Sequence, residues 1–168
     1  MRRVFAFERV AVIVGPWWEP VEPPEYGARV EVRLIAPEPA RGTPSAAQRV
    51  VVDMPVWRAD LFDQVGAPVG NLLSAHFHQG FNGVEPRPRQ WDDAINRDPL
   101  GWLRGQLGDL VGICARAGRP AAETDDPALA HDAEALCSVL DEVAAAVEST
   151  WAAVRAEYGD VAPTTAAT

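Results

Sequence analysis

Two hydrophobic periods divide this chain. In the first third, Ala28, Val30, Val32, Leu34 and Ala36 alternate with Arg29, Glu31, Arg33 and Ile35, the two-residue period of a strand with one buried face. Residues 3–14 are apolar on both faces and fit a central strand. Residues 48–57 alternate again, with Val50, Val52, Met54 and Val56 on one side. Pro55 cannot donate to a ladder, which predicts a sheet edge or a strand end there. The connections, residues 15–26 and 37–47, hold four and three prolines and are too stiff and polar for helices. Neither has room for a crossover helix, so the strands are expected to form an antiparallel meander.

From Asp98 onward the period becomes helical. Asp98-Pro99 and Asp126-Pro127 each supply an N-cap followed by proline at the first helical position, and Gly118 with Pro120 supplies a stop. Leu100, Leu103, Leu107, Leu110 and Cys114 mark the first helix. Leu129, Ala133, Leu136, Leu140, Val143, Val147, Trp151, Val154 and Tyr158 form one stripe ending at Gly159. A helix of that extent would be about 48 Å long at 1.5 Å per residue. The short connection at 119–125 predicts an antiparallel pair.

The expected architecture is α+β: a small antiparallel sheet of three to four strands in the N-terminal half, packed against a C-terminal helical hairpin with one long helix. Residues 1–160 are expected to be one domain and residues 161–168 a disordered tail. The stripe is longer than a small sheet can cover, which predicts a homodimer through the C-terminal helix around Val147, Trp151 and Val154.

Charge narrows the partners. The net charge is −9, with 13 Arg against 14 acids in residues 1–118 and 2 against 10 in residues 119–168. That imbalance disfavours nucleic acid and would suit a protein partner with a basic surface. All 15 positive residues are arginine and alanine is abundant, as in the proteins of a GC-rich bacterial genome. Cys114 and Cys137 lie on helical patterns among apolar neighbours and are expected to be free, buried thiols, consistent with a cytoplasmic location. Glu8 and Arg9 interrupt the first apolar stretch, which makes a poor signal peptide, and no run approaches the ~20 apolar residues that span a bilayer.

Candidate chemistry is concentrated in residues 55–93. If Ser74, His76 and His78 lie on a strand they share one face, where two imidazoles can bind a metal given further ligands from Asp63, Glu85, Asp92 or Asp93. The spacing supplies two ligands where zinc takes three or four, so no metal and no other cofactor is expected. Arg58, Asp60 and Asp63, with Arg87, Arg89, Trp91, Asp92 and Asp93, read either as ion pairs closing loops or as an arginine clamp for an anion. Trp17 and Trp18 cannot both point inward from an extended segment, which offers a contact residue. No GxSxG, HExxH, CxxC or phosphate-loop pattern is present. The sequence therefore favours a non-enzymatic binding or protein-interaction module, with Trp17, Trp18, Arg58, Asp60, His76, His78, Arg87, Arg89, Trp91 and Asp92 as its candidate surface. The alternative is a metal-dependent, hydrolase-like enzyme centred on His76 and His78, with Asp92 or Asp93 completing the shell.

Overall fold

The computed structural model describes residues 1–36 and 38–159. The tail expected at 161–168 lies outside the described residues. Five antiparallel strands form one meander, β1 (Arg3–Ala6), β2 (Val10–Glu19), β3 (Glu25–Ala36), β4 (Val51–Gln64) and β5 (His76–His78), in sheet order 1-2-3-4-5. A hairpin of β6 (Phe81–Asn82) and β7 (Glu85–Pro86) follows. Six helices follow among the described residues: α1 (Asp93–Arg97), α2 (Pro99–Leu107), α3 (Leu110–Arg116), α4 (Ala121–Thr124), α5 (Pro127–Ser138) and α6 (Leu140–Tyr158).

The architecture is α+β as expected, with five strands in the sheet where three to four were expected. Residues 3–14 do not make one central strand. Glu8 and Arg9 sit in a turn that folds β1 back along β2, and Phe7 N–H donates to the Val10 carbonyl at 2.9 Å. The proline-rich segment 15–26 is mostly strand, because β2 runs to Glu19 and β3 starts at Glu25. Pro16 is tolerated within β2 because β1 pairs only as far as Val14, so no ladder partner is lost. Pro55 does not end β4 but lies where the strand is a sheet edge, the other expected outcome. It pairs with Arg33 at a register irregularity, and β5 reaches only residues 58–60, so β4 continues past it for nine residues.

The helices also divide where their patterns run on. Asp109 caps α3 through Gly112 N–H at 3.2 Å, splitting the first helix after Gly108. The stripe from Leu129 to Tyr158 runs over two helices, α5 and the long α6 of 19 residues, separated at Val139. There the Ser138 hydroxyl bonds back to the Ala135 carbonyl at 2.6 Å, and Val139 leaves helical geometry at φ −119° and ψ 12°. Asp126 and Asp98 cap as the sequence predicted.

The core lies between one face of the sheet and the helices. Val12, Val14, Val30, Val32, Trp57 and Leu61 meet Leu103, Leu107, Ile113, Val143, Val147 and Trp151, all buried. The α6 stripe expected to seek a second copy is thus covered by the sheet: Val147, Trp151 and Val154 are 0%, 7% and 2% exposed within one chain. Cys114 is buried, but Cys137 is exposed, contrary to the expectation for it. No helix among the described residues is long and apolar enough to cross a membrane.

One buried acid fixes α5 to the sheet. Asp132 accepts three backbone N–H groups of the β1–β2 turn, from Glu8 (3.0 Å), Arg9 (2.6 Å) and Val10 (3.1 Å). Alanine would leave these donors without acceptors in a largely dry site, so Asp132→Ala is expected to cost about 2–3 kcal/mol. Urea unfolding checks this; a loss below 0.5 kcal/mol would mean water replaces the carboxylate without penalty.

Candidate functional site

Strand register assembles the charged residues on the sheet face that the helices leave open. Arg29, Asp60 and His76 stand in one row across β3, β4 and β5, and Glu31, Arg58 and His78 in the next. In β2, Gly15 pairs with Arg29 and Ile13 with Glu31. The space over Gly15 is taken by the stem of Arg2, since a Cβ there would come within 2.6 Å of Arg2 Cγ. Arg2 therefore crosses the floor of the sheet beside Arg29.

Asp60, 0% exposed, is the hub. Its Oδ1 accepts from Arg29 Nε at 2.6 Å, and its Oδ2 takes Arg58 Nε and Nη2, both at 2.8 Å. Arg29 is further held with its guanidinium carbon 3.6 Å above the Trp17 ring and 5.6 Å from that of Phe62. Burial opposes ionisation of Asp60. The facing His76, His78, Arg29 and Arg58 outweigh that and hold its carboxyl well below the usual carboxylate range.

Backbone carbonyls orient the two histidines. His76 Nδ1 lies 2.7 Å from the Ser74 carbonyl, and His78 Nδ1 lies 2.5 Å from that of Arg87. A carbonyl only accepts, so each Nδ1 carries the proton. His78 Nε2 lies 2.9 Å from Arg58 Nη2 and 3.6 Å from Asp60 Oδ2. His76 Nε2 stands 3.3 Å from Asp60 Oδ2 without an aligned hydrogen bond. Asp60, His76 and His78 each offer a ligand atom within 4.8 Å of the others. Arg58 Nη2, in contact with both Asp60 Oδ2 and His78 Nε2, stands where a cation bound by those atoms would stand.

Above this network the open face carries a basin of about 530 Å³, within the ~300–1,000 Å³ of ordinary ligand sites. Arg2, Arg29, Arg33 and Arg58 line it with a single carboxylate, Glu31, which Arg33 Nε holds at 2.8 Å. Val4 and Ile13 form one side, and Phe81 and Val84 of the β6–β7 hairpin another.

No family model, curated protein or solved structure matches this chain.

Of the residues singled out in the sequence, Trp17, Arg58, Asp60, His76 and His78 meet on this face. Trp18 points the other way, 4.6 Å between ring centroids from Tyr158. Asp63 also lies on the helix side, accepting from Gly70 N, Leu72 N and Arg155 Nε. Asp92 is spent as the N-cap of α1 and as acceptor for Trp102 Nε1 at 3.0 Å, so the acid beside the histidines is Asp60. Asp93 is in the first turn of α1, and Glu85 is exposed in β7. Arg89 pairs with Glu25 at 3.4 Å. The Arg87 guanidinium packs over Gly80 and Gly118, and Trp91 is 67% exposed beside His76. Arg29 and Arg2 were not foreseen. The outward alternation of Arg29, Glu31 and Arg33 was visible, but the register that brings Arg29 to Asp60 spans 31 residues.

A second cavity of about 280 Å³ opens between the end of β3 and α3, lined by Leu34, Cys114, Arg119 and Leu129 among others. Burial pushes the Cys114 thiol up to about 11, so it is protonated at neutral pH and is no nucleophile.

Proposed function

We propose that this chain is a non-enzymatic binding module whose ligand, an anion, occupies the basin on the open face of the sheet. The observation that carries this reading is the buried platform: Asp60 fixes Arg29 and Arg58 beneath the basin, and Arg58 Nη1 keeps its donors without a protein partner among the described residues. Burying such a network is a poor way to gain stability, but it pre-organises guanidiniums for planar oxyanions. Binding is favoured over catalysis because the lining holds no hydroxyl or thiol, and its one carboxylate is already paired with Arg33. The basin's charge is opposite to that of the C-terminal half, so its ligand differs in sign from the basic partner suggested by net charge.

A second reading has its own support. Both imidazoles are oriented through Nδ1 by backbone carbonyls, as metal-binding histidines are, and His76 Nε2 lacks a hydrogen bond. A divalent ion bound by Asp60, His76 and His78 would have to expel Arg58 Nη2 and stand beside Arg29. Repulsion from that guanidinium disfavours the site.

Amide-resolved NMR separates the two. A panel of small organic acids is expected to perturb Trp17, Arg29, Arg58 and Phe81, whereas Zn²⁺ leaves these signals in place. Zn²⁺ binding at micromolar concentration that disappears in His76→Ala would install the metal reading instead. Organic acids perturbing only the helix side would refute the basin.

A further inference from the structure

Resting on that reading, we propose that the basin takes a monocarboxylate carried on a flat apolar body, with Arg2 as the residue that closes on the carboxylate. Charge balance sets the anion. Arg29 and Arg58 share Asp60, Glu19 stands 3.6 Å from Arg29 Nη2, and Arg33 holds Glu31. Four guanidiniums thus face three carboxylates, and Arg2 is the one with no ion pair or hydrogen bond among the described residues. One positive charge is left over, which a monoanion neutralises and a phosphate monoester overcompensates.

Arg2 is placed for the task. An exposed arginine ordinarily samples many rotamers in water, but its stem here lies on Gly15, which has no side chain to lift it. The guanidinium is thereby kept beside the floor with its planar donor fork free, the geometry that pairs with a carboxylate through two hydrogen bonds.

The rim sets the body. Val4 is 54% exposed and Val84 76% exposed, and both line the basin. Val84 stands at the tip of a two-residue turn made possible by Gly83 at φ +63°. An exposed valine at a hairpin tip gains nothing from the fold, yet here it stands over a basin with Phe81 in the same wall. Together with Val4 and Ile13 these side chains make an apolar slot that suits a flat ring system.

Isothermal titration of the intact chain with 2-naphthoate, 2-naphthyl phosphate, 2-naphthamide and acetate tests this. The naphthoate is expected to bind at least about ten-fold more tightly than each of the others. Arg2→Gln and Val84→Glu are both expected to weaken it about ten-fold, with melting temperatures unchanged because both side chains are exposed. A naphthamide bound as tightly as the naphthoate, with the same basin amides perturbed, would overturn the carboxylate and leave the binding face standing. Tighter binding of the phosphate would overturn the monoanion, and acetate matching naphthoate would overturn the apolar body. Wild-type affinity in Arg2→Gln would overturn the role of Arg2. Failure of all four probes overturns the proposal; the wider reading fails only if the organic-acid panel also leaves the basin amides unmoved.

Discussion

Asp60→Ala is expected to cost about 3–5 kcal/mol, the loss seen when one side of a buried ion network is removed. Asp60 is fully buried, and both of its oxygens are engaged by guanidiniums that are themselves 10% and 14% exposed at the side chain. Without the carboxylate, Arg29 and Arg58 would keep their charge on the open face, with Glu19 at 3.6 Å from Arg29 and Glu31, already held by Arg33, as the carboxylates left beside them. The loss is a large part of the roughly 5–15 kcal/mol that holds a domain of this size together. Its pH dependence has a definite sign. The folded carboxyl titrates well below its ordinary range, and the unfolded one near about 3.9. Its stabilisation is therefore complete above the unfolded value and is lost as pH falls towards the folded one, at about 1.4 kcal/mol per pH unit. Urea unfolding of wild type and Asp60→Ala should show a constant gap from pH 5 to 7 that narrows between pH 4 and 2. A gap that stays flat to pH 2, or a loss under 1 kcal/mol at pH 7, would remove Asp60 as the hub.

How far the sequence could reach is clear from where it stopped. Local periodicity located β3 and the helical half, because each depends on residues a few positions apart. It put His76 and His78 on one face for the same reason, since side-chain alternation along a strand is a local property. What it could not supply was register. Arg29, Asp60 and His76 are joined only by the pairing of three strands, and the choice of Asp60 over Asp63 as hub depends on which face each occupies once β4 is seen to run past Pro55. With β4 ended at residue 57, where the alternation stops, Asp60 and Asp63 would both be loop residues. Arg2 is harder still, because its place is set by the missing side chain of Gly15, thirteen residues away. The turn at Glu8 and Arg9 carries no glycine or proline, and it is fixed by Asp132, more than 120 residues on.

Trp151→Asp is expected to unfold the protein, although the sequence pattern made Trp151 a contact between copies. An uncovered stripe on α6 would tolerate a charge in the monomer. The stripe is covered: Trp151 is 7% exposed, its Nε1 donates to the Leu61 carbonyl at 3.0 Å, and the Arg155 guanidinium carbon lies 4.9 Å from its ring centroid. Truncating a buried tryptophan costs about 3–5 kcal/mol. The aspartate adds an unpaired carboxylate in the core and leaves the Leu61 carbonyl without its donor. Arg155 offers little relief, because its Nε already pairs with Asp63 at 2.9 Å. The sum approaches the whole stability of an ordinary domain, so circular dichroism should show no cooperative melt. Trp151→Phe, which keeps most of the ring area and loses the hydrogen bond with a part of the indole, should fold and cost about 1–2 kcal/mol. A Trp151→Asp protein that melts cooperatively and sediments more slowly than wild type would return the α6 stripe to an interface between two copies.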